Sequence, residues 1–319
     1  MTKTMRDGFL EALYAKMQYN RDIFLVSADF GAPKLDDIKS HFSDRFINVG
    51  IAEQNLINIS MGLALEGFTV YTYAIAPFLT MRAYEQIRVN LSLHAQVKEL
   101  NVNLVGVGAG ISYDVTGPTH HCLEDLSIMR VLPHFTVISP SDWKLAEACV
   151  DYTLTEKKPK YLRFDAKPLP QIYPNAAPGA FSDGFIEIAR ADCVCFVTTG
   201  FMTHKALGVI EKLKQEGLSV GIVDVVLLKP VHGEKLYDSL KHYEHIITLE
   251  EGFVGKGGLD CLIDNLYNSR GSRTELTHLG FPDRYTFEMG SREELYALNG
   301  LDDESIISLT KRIFDKRGR

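Results

Sequence analysis

Short apolar runs that alternate with amphipathic segments are the feature of this sequence that most constrains its fold. In the first half of the chain, runs with the length of a single strand lie at residues 23–28, 68–75, 102–110 and 135–140. Segments with the period of a helix lie at residues 4–18, 53–66, 79–93, 123–132 and 142–154. The run at 23–28 is apolar on both faces, which is typical of a strand inside a parallel sheet. The alternation predicts an α/β fold with a mostly parallel sheet covered by helices.

A proline-rich segment divides the chain. Residues 166–184 contain four prolines and little periodicity, so we interpret them as a linker. Beyond it, strands are predicted at 193–200, within 218–230 and at 245–252, and helices at 202–216 and 301–314. Because 319 residues are too many for one ordinary core, we expect two α/β domains, at residues 1–165 and 185–319.

Composition excludes several classes of function. The 45% of hydrophobic and 24% of charged residues are typical of a soluble globular protein. The formal net charge of −7 argues against a nucleic-acid binder. Apolar runs stay well short of the ~20 residues of a membrane span, and the amino-terminal segment lacks the apolar centre of a secretory signal. The five cysteines follow no disulfide framework, so we expect a cytoplasmic protein.

Glu53 is the first candidate for chemistry. It lies in the segment FINVGIAEQN (46–55), between a short predicted strand and a predicted helix. Ligands of open α/β sheets bind at the carboxyl ends of strands, which favours a functional role. The helix dipole alone also favours a carboxylate at this position, so the residue by itself leaves both interpretations open.

The loop GISYDVTGPTHH (110–121) is the second candidate. A loop this rich in turn residues, between a strand and a helix, often holds a ligand. His120 and His121 are adjacent, so their rings diverge and are poorly placed to chelate one metal ion together. Either histidine alone fits a catalytic or a structural role.

Two further patterns are weaker. Phe78, Met81 and Tyr84 have the spacing of one helix face, which usually means core packing but can also form a wall of an aromatic ligand site. The turn GKGG (255–258) opens a predicted helix, as phosphate-binding turns do, but it lacks a complete phosphate-loop motif. Close backbone packing is the favoured explanation for its glycines.

Taken together, these segments resemble a known family. The elements VGIAEQN, APFLTMRAYEQ, TGPTHH with LEDLSIMRVLP, and SPSD occur in the order of the pyrimidine-binding domain of transketolases. The later elements TTGFMTHKAL, LKPVHGEKL and LEEGFVGKGGL resemble the C-terminal domain of the same enzymes. The whole resembles the C-terminal subunit of a split, two-subunit transketolase. This resemblance implies transfer of a two-carbon ketol unit from a ketose, or ketose phosphate, to an aldose acceptor.

The resemblance also implies a cofactor and a partner. The family binds the diphosphate and metal of thiamine diphosphate on a separate domain with a GDG element, which this sequence does not contain. Thiamine diphosphate should therefore lie between this chain and an N-terminal partner subunit that carries Mg²⁺ or Ca²⁺, and this chain should supply no metal ligand. We expect two copies of this chain within a heterotetramer, acting on sugar phosphates.

Individual roles follow from the positions that match the family. Glu53 matches the glutamate that hydrogen-bonds N1′ of the cofactor's aminopyrimidine, and we expect it to be buried. His120 matches a histidine that contacts the oxygens of the donor sugar. The cofactor should also be bound by Asp29, Phe78, Met81 and Tyr84, and the sugar phosphate by Arg6 and Arg163.

Two departures from the family pattern concern the substrate. An aspartate that usually precedes the GPTH element is replaced by Thr116, and Asp114 lies close enough to substitute for it. A histidine expected near Gly108 is missing. We therefore assign Asp114 and Thr116 to the substrate site and expect donor or acceptor sugars that differ from the usual pentose phosphates.

Three alternatives remain open at this stage. Deoxyxylulose-phosphate synthases share the VGIAEQ and TH elements, and the beta subunits of 2-oxoacid dehydrogenases share the domain order. The third alternative is a non-catalytic partner subunit, which would be expected to lack Glu53 or His120. The TGPTHH loop and the IMRVLP element that follows favour a transketolase.

Overall fold

The computed structural model describes residues 2–174 and 180–317 and has two parallel-type sheets covered by helices. The predicted α/β class is confirmed. Residues 175–179 of the predicted linker lie outside the described residues.

The first sheet has seven strands in the order β12-β6-β7-β5-β4-β2-β3. Neighbours are parallel except for β12, which runs antiparallel to β6. The strands are β2 (Ile23–Ser27), β3 (Phe46–Asn48), β4 (Thr69–Ile75), β5 (Val102–Val107), β6 (Thr136–Ile138), β7 (Lys160–Phe164) and β12 (Leu227–Lys229). A separate pair, β1 (Thr2–Lys3) and β8 (Leu169–Pro170), ties the amino terminus to the chain beyond β7.

Helices of the first half cover this sheet. They are α1 (Met5–Met17), α2 (Pro33–His41), α3 (Glu53–Leu65), α4 (Tyr84–Gln86), α5 (Asp125–Arg130) and α6 (Trp143–Thr155). Side chains at the N-caps fix two of these starts: Thr4 accepts the N–H of Asp7, and Asp142 accepts the N–H of Leu145. The predicted helices at 4–18, 53–66 and 142–154 are confirmed, whereas α5 is shorter than the predicted 123–132.

The predicted helix at 79–93 has an unusual geometry. Phe78–Arg82 and Ile87–Leu93 form wide π-helical turns on either side of α4, and a 3₁₀ turn follows at His94–Gln96. Such turns often occur at functional sites, and they change which side chains share a helix face.

The second sheet has five strands in the order β14-β13-β10-β11-β9, of which only β9 is antiparallel to its neighbour. Its strands are β9 (Phe185–Ala189), β10 (Val194–Thr198), β11 (Gly221–Val225), β13 (His245–Phe253) and β14 (Glu275–Phe281). Its helices are α7 (Phe201–Gln215), α8 (Gly233–Leu240), α9 (Leu259–Asn268), α10 (Arg292–Leu298) and α11 (Asp303–Arg317). The amide of Ser305 donates to Asp302, which caps α11 as predicted. Sequence analysis missed α2, α8, α10, β9 and β14.

The two halves of the chain share buried surface. Strand β12 comes from the second half but completes the first sheet. One apolar core cluster joins residues of both halves, for example Val102 and Leu240. Tyr173 from the predicted linker is buried, and its hydroxyl donates to Asp224 at 2.8 Å. These contacts fix the carboxyl ends of the first sheet against the second domain.

Within the described part of the chain, no helix is both long and apolar enough to cross a membrane. No group of three or more His, Cys, Asp or Glu side chains among the same residues is arranged to hold a metal ion.

Candidate active site

Glu53 lies buried at the first turn of α3, at the carboxyl end of β3. Its Oε2 accepts a hydrogen bond of 2.9 Å from Nη1 of Arg82, whose side chain is 52% exposed. Among the described residues, no hydrogen bond to Oε1 is found. The predicted burial is confirmed, and one carboxyl oxygen stays available for a ligand.

The wide turn at Phe78–Arg82 explains why Arg82 reaches this carboxylate. In an i→i+5 turn, the residue four positions on lies nearly above the first one, so Arg82 shares a face with Phe78. The Arg82 guanidinium stands 5.3 Å from the centre of the Phe78 ring, a cation–π contact. Sequence analysis missed Arg82 because it assumed the period of an ordinary helix.

Phe78 connects this pair to the histidine loop. Its ring meets the His120 ring edge-on, with centroids 5.1 Å apart. His120 is half-buried; its Nδ1 lies 3.1 Å from the Thr119 hydroxyl, and its other ring contact is with Tyr113, at 6.3 Å. The structure thus brings Glu53, Phe78 and His120 together into one wall.

Arg6 extends this wall. Its guanidinium lies close to the hydroxyls of Tyr73 and Tyr113: burial raises the pKa of both phenols, and the positive charge of Arg6 opposes the rise. Nε of Arg6 is buried and has no hydrogen-bond partner in the described structure. A cation with a buried, unused donor beside His120 is suited to an anionic substrate.

The other predicted cofactor contacts have different surroundings. Met81 is 40% exposed, whereas Tyr84 packs against the core and donates from its hydroxyl to the carbonyl of Ile128 at 2.8 Å. Asp29 is exposed and held with φ 51° by Asn48, which donates from Nδ2 to the Asp29 carboxylate at 3.0 Å. Phe78, Met81 and Tyr84 therefore do not form the single stripe that their spacing suggested.

Arg163 requires a correction. It was expected to bind the sugar phosphate, but its side chain is buried and its donors are occupied. Nε donates to Asp125 at 2.7 Å, and Nη2 donates to the carbonyls of Cys122 and Glu251 at 3.2 and 2.8 Å. Burial alone would lower the pKa of Arg163, but the Asp125 carboxylate raises it. Arg163 is a buried cation that joins the histidine loop to β13.

Asp114 also has its carboxylate occupied. Oδ2 pairs with the ammonium group of Lys167 and accepts the backbone N–H of Arg292 at 2.9 Å, and Oδ1 accepts the N–H of Val115. Burial tends to raise the pKa of Asp114, but these hydrogen bonds outweigh it and lower the pKa. Thr116, at the end of the same 3₁₀ turn, is exposed. Of the two residues, Thr116 has the freer side chain.

The missing histidine near Gly108 has a structural explanation. Gly108 has a φ of +102°, and a Cβ at this position would lie 2.3 Å from the Tyr113 ring. The aromatic ring that contacts His120 occupies the space that a side chain at 108 would need.

A buried ionic network behind the histidine loop was not predicted. Arg292, in the first turn of α10, pairs through Nη1 with Asp165 at 2.7 Å and through Nη2 with Glu251 at 2.5 Å. Glu251 also accepts the Tyr296 hydroxyl at 2.6 Å. The network connects β7 of the first domain to β13 and α10 of the second, and only the folded chain brings these residues together.

The GKGG turn does not offer a free phosphate site. The carboxylate of Glu250 accepts the N–H groups of Leu259 and Asp260, both at 2.9 Å, and therefore occupies the amino terminus of α9. Burial, reinforced by the nearby Asp260, raises the pKa of Glu250 to about 7. The favoured explanation, close packing, agrees with this arrangement.

Comparison with known families identifies this arrangement. Residues 1–171 match the family model described as transketolase, pyrimidine binding domain, and residues 186–306 match that of the transketolase C-terminal domain. The chain belongs to the transketolase family. The carboxyl edge with Glu53 and His120 lies within the transketolase pyrimidine-binding match.

Relatives of similar length are transketolase subunits. One of the two kinds of chain in the apulose-4-phosphate transketolase of Actinobacillus succinogenes is 30% identical over 94% of this chain and 95% of that protein. A putative transketolase C-terminal section from Methanocaldococcus jannaschii is 31% identical over 98% and 96%. A solved split gene transketolase, described as an inactive beta4 tetramer, superimposes with a TM-score of 0.84 at 28% identity and covers 97% of both chains.

This transketolase chain is therefore a C-terminal subunit of the split kind, and it works in a transferase that moves a ketol unit. The deoxyxylulose-phosphate synthase of Aquifex aeolicus is also related, at 33% identity, but the match covers only 42% of that longer protein. The similarity to full-length subunits of transketolases favours the transketolase interpretation.

Proposed function

We propose that this chain completes an active site with a partner that binds the diphosphate of thiamine diphosphate, and that the assembled enzyme transfers a ketol unit between sugar phosphates. The observation that carries the proposal is the buried Glu53 carboxylate, with one free oxygen at the head of a continuous wall formed by Phe78 and His120.

The residues present fit the aminopyrimidine end of this cofactor. A buried carboxyl suits a ring nitrogen that gains and loses a proton, and Phe78 and the exposed Met81 offer apolar surface nearby. When bound, the cofactor supplies the means to stabilise a carbanion. Glu53 would hold a proton at the ring nitrogen. Since the described residues contain no suitable ligand group, we propose that Mg²⁺ is bound by the partner.

His120 is proposed to act on the sugar. Its ring is positioned by Phe78 on one side and by the Thr119 hydroxyl on the other. From there it can donate a hydrogen bond to a substrate oxygen where negative charge develops, or move a proton to it. We assign to His120 the contact with the donor carbonyl or an adjacent hydroxyl.

Arg6 and Lys167 are proposed to bind the phosphate of the sugar in place of Arg163. Arg6 has an unused buried donor, and the Lys167 side chain is 43% exposed beside Asp114. Both cations flank the histidine loop, whereas Arg163 is enclosed behind it. Thr116 offers an exposed hydroxyl on the same loop for a sugar hydroxyl.

Exposed apolar side chains around the site are proposed to bind the partner chain. Ile51, Met81 and Val115 are exposed beside Glu53, Phe78 and His120. Met289, also exposed, approaches Gly117 of the histidine loop, and Phe287 on the same segment is 76% exposed. Apolar surface of this kind is typical of a protein interface. We propose that the diphosphate-binding subunit covers it, in a heterotetramer with two copies of each chain.

A ketol-transfer assay tests the proposal. This chain is assayed alone and together with the diphosphate-binding subunit, in the presence of thiamine diphosphate, Mg²⁺ and a panel of ketose phosphates. Activity only in the mixture is the expected result. Release of carbon dioxide from pyruvate would instead support a synthase-like activity, and no turnover in any mixture would support a non-catalytic role.

A further inference from the structure

The second domain has a cavity far from the candidate active site. A space of about 600 Å³ opens among residues 241–245, residues 272–275 and the end of α11. A second space of about 490 Å³ adjoins it and shares His245, Glu275, Ile313 and Lys316 with it. Volumes in this range are typical of small-molecule sites.

The cavity lies at the amino ends of the strands. Strand β13 begins at His245 and the neighbouring β14 begins at Glu275, so both lining residues are the first of their strands. Glu250 and Glu251, in contrast, lie toward the carboxyl end of β13, where Glu251 joins the network next to the histidine loop. The cavity is therefore at the opposite edge of the sheet from the catalytic machinery.

Unpaired cations surround this space. Arg273, Arg312 and Lys316 are exposed and have no ion pair within the described residues. Lys241 also lines the cavity and pairs with Asp238 at 2.8 Å. In a chain with a net charge of −7, an unpaired cluster of this kind attracts anions locally.

The carboxylates of the lining do not cancel these charges. Glu275 faces His245 at 3.3 Å, and Glu244 is the second lining carboxylate. Four Lys and Arg side chains thus oppose two carboxylates around the connected cavities. The exposed His242 ring lies 3.9 Å from the ring of Tyr243 and adds a flat surface beside the cations.

We propose that this cavity binds a small phosphorylated molecule, with Arg273, Arg312 and Lys316 as its phosphate ligands. Guanidinium and ammonium groups that converge from α11 and from the loop before β14 suit the oxygens of a phosphate group. The site uses none of the residues assigned to ketol transfer, so the proposal stands independently of the proposed function.

The test uses the isolated chain and pyrophosphate. Binding is measured by isothermal titration at constant ionic strength, with sodium chloride to balance each addition. The double variant Arg273→Gln with Lys316→Gln should raise the dissociation constant at least about tenfold, because charge-assisted contacts to phosphate are lost. Circular dichroism confirms that the variant is folded.

A matched pair controls for overall charge. Lys39→Gln with Lys214→Gln removes the same two charges from exposed positions outside the cavity, on α2 and α7. This control should change the dissociation constant by less than about twofold, since screening weakens interactions over distance. Equal weakening by the two double variants, or no binding of pyrophosphate at millimolar concentration, would overturn the proposal. Tighter binding of ATP than of pyrophosphate would support it and identify a nucleotide as the ligand.

Discussion

Nη1 of Arg82 lies 2.9 Å from Oε2 of Glu53, and the same guanidinium covers the ring of Phe78. This contact orients the carboxylate so that one oxygen is fixed by Arg82 and the other has no hydrogen bond in the described structure. A buried carboxyl held in this way is prearranged for a ligand nitrogen. The wide helical turn at Phe78–Arg82 makes the arrangement possible.

Substitution of Glu53 by Gln tests this arrangement. The amide has nearly the same shape but cannot take up or release a proton, so we expect kcat of the assembled enzyme to fall at least about 100-fold. Fold and partner binding should not change. Glu66→Gln, at the exposed C-cap of the same helix, is the control and should retain full activity. Turnover near the wild-type value in Glu53→Gln would refute the role assigned to this carboxyl.

The sequence predicted the fold well because the relevant signals are local. Apolar runs and helical periods placed β2, β4, α1, α3 and α6 close to their observed positions. Glu53 and His120 were found because each lies in a recognisable segment at the end of a strand. Their contact through Phe78 follows from the parallel order of the strands.

Other parts of the site depend on contacts that no local pattern encodes. Arg163 was assigned to the substrate because of its segment, but Asp125 and Glu251, which are distant in sequence, enclose it. The stripe of Phe78, Met81 and Tyr84 assumed an ordinary helical period, and the π-helical turn replaced it. The Arg292 network joins three separate segments and carries no signal in any one of them.

His120→Ala should separate turnover from cofactor binding. Since His120 is proposed to contact the sugar, we expect kcat to fall about 100-fold or more while the affinity for thiamine diphosphate changes little. His134, on the turn before β6, provides a control: His134→Ala should leave both quantities unchanged. Steady-state kinetics of the assembled enzyme over a range of cofactor concentrations gives both values. Equal losses in kcat and cofactor affinity would indicate a structural role for His120.

Arg292→Leu should destabilise the chain strongly. It leaves the carboxylates of Asp165 and Glu251 buried without their cation, and such losses typically cost about 3–5 kcal/mol. The free energy of unfolding is measured with urea. Arg21→Leu removes an exposed arginine that pairs with Asp44 at the surface, and it should leave stability unchanged within error. A similarly small effect of Arg292→Leu would show that the network does not hold the domains together.

Lys160 predicts a pH dependence of stability. Its side chain is fully buried in β7 and donates to Asn101 at 2.8 Å, and burial lowers the pKa of Lys160 to about 7. The unfolded chain, with a pKa near 10.5, binds more protons than the folded chain between these two values. Stability attributable to Lys160 should therefore rise by about 2 kcal/mol between about pH 7 and pH 9.

The variant Lys160→Met isolates this contribution. It should remove the rise with pH, whereas Lys158→Met, at an exposed position two residues earlier, should retain it. Urea unfolding at the two pH values gives the difference for each protein. An identical pH dependence in Lys160→Met and the wild type would show that the buried ammonium is not responsible.

The exposed segment before α10 gives a prediction about the partner. Phe287 is 76% exposed and lies two residues from Met289, which approaches the histidine loop at Gly117. If the diphosphate-binding subunit covers this surface, Phe287→Asp should weaken association at least about tenfold, because a charge would be buried in an apolar contact. Val97→Asp introduces the same charge at a residue that is 82% exposed, before the start of β5, and should leave association unchanged. Analytical ultracentrifugation of the mixed subunits measures both effects, and unaltered association of Phe287→Asp would place the partner on another surface.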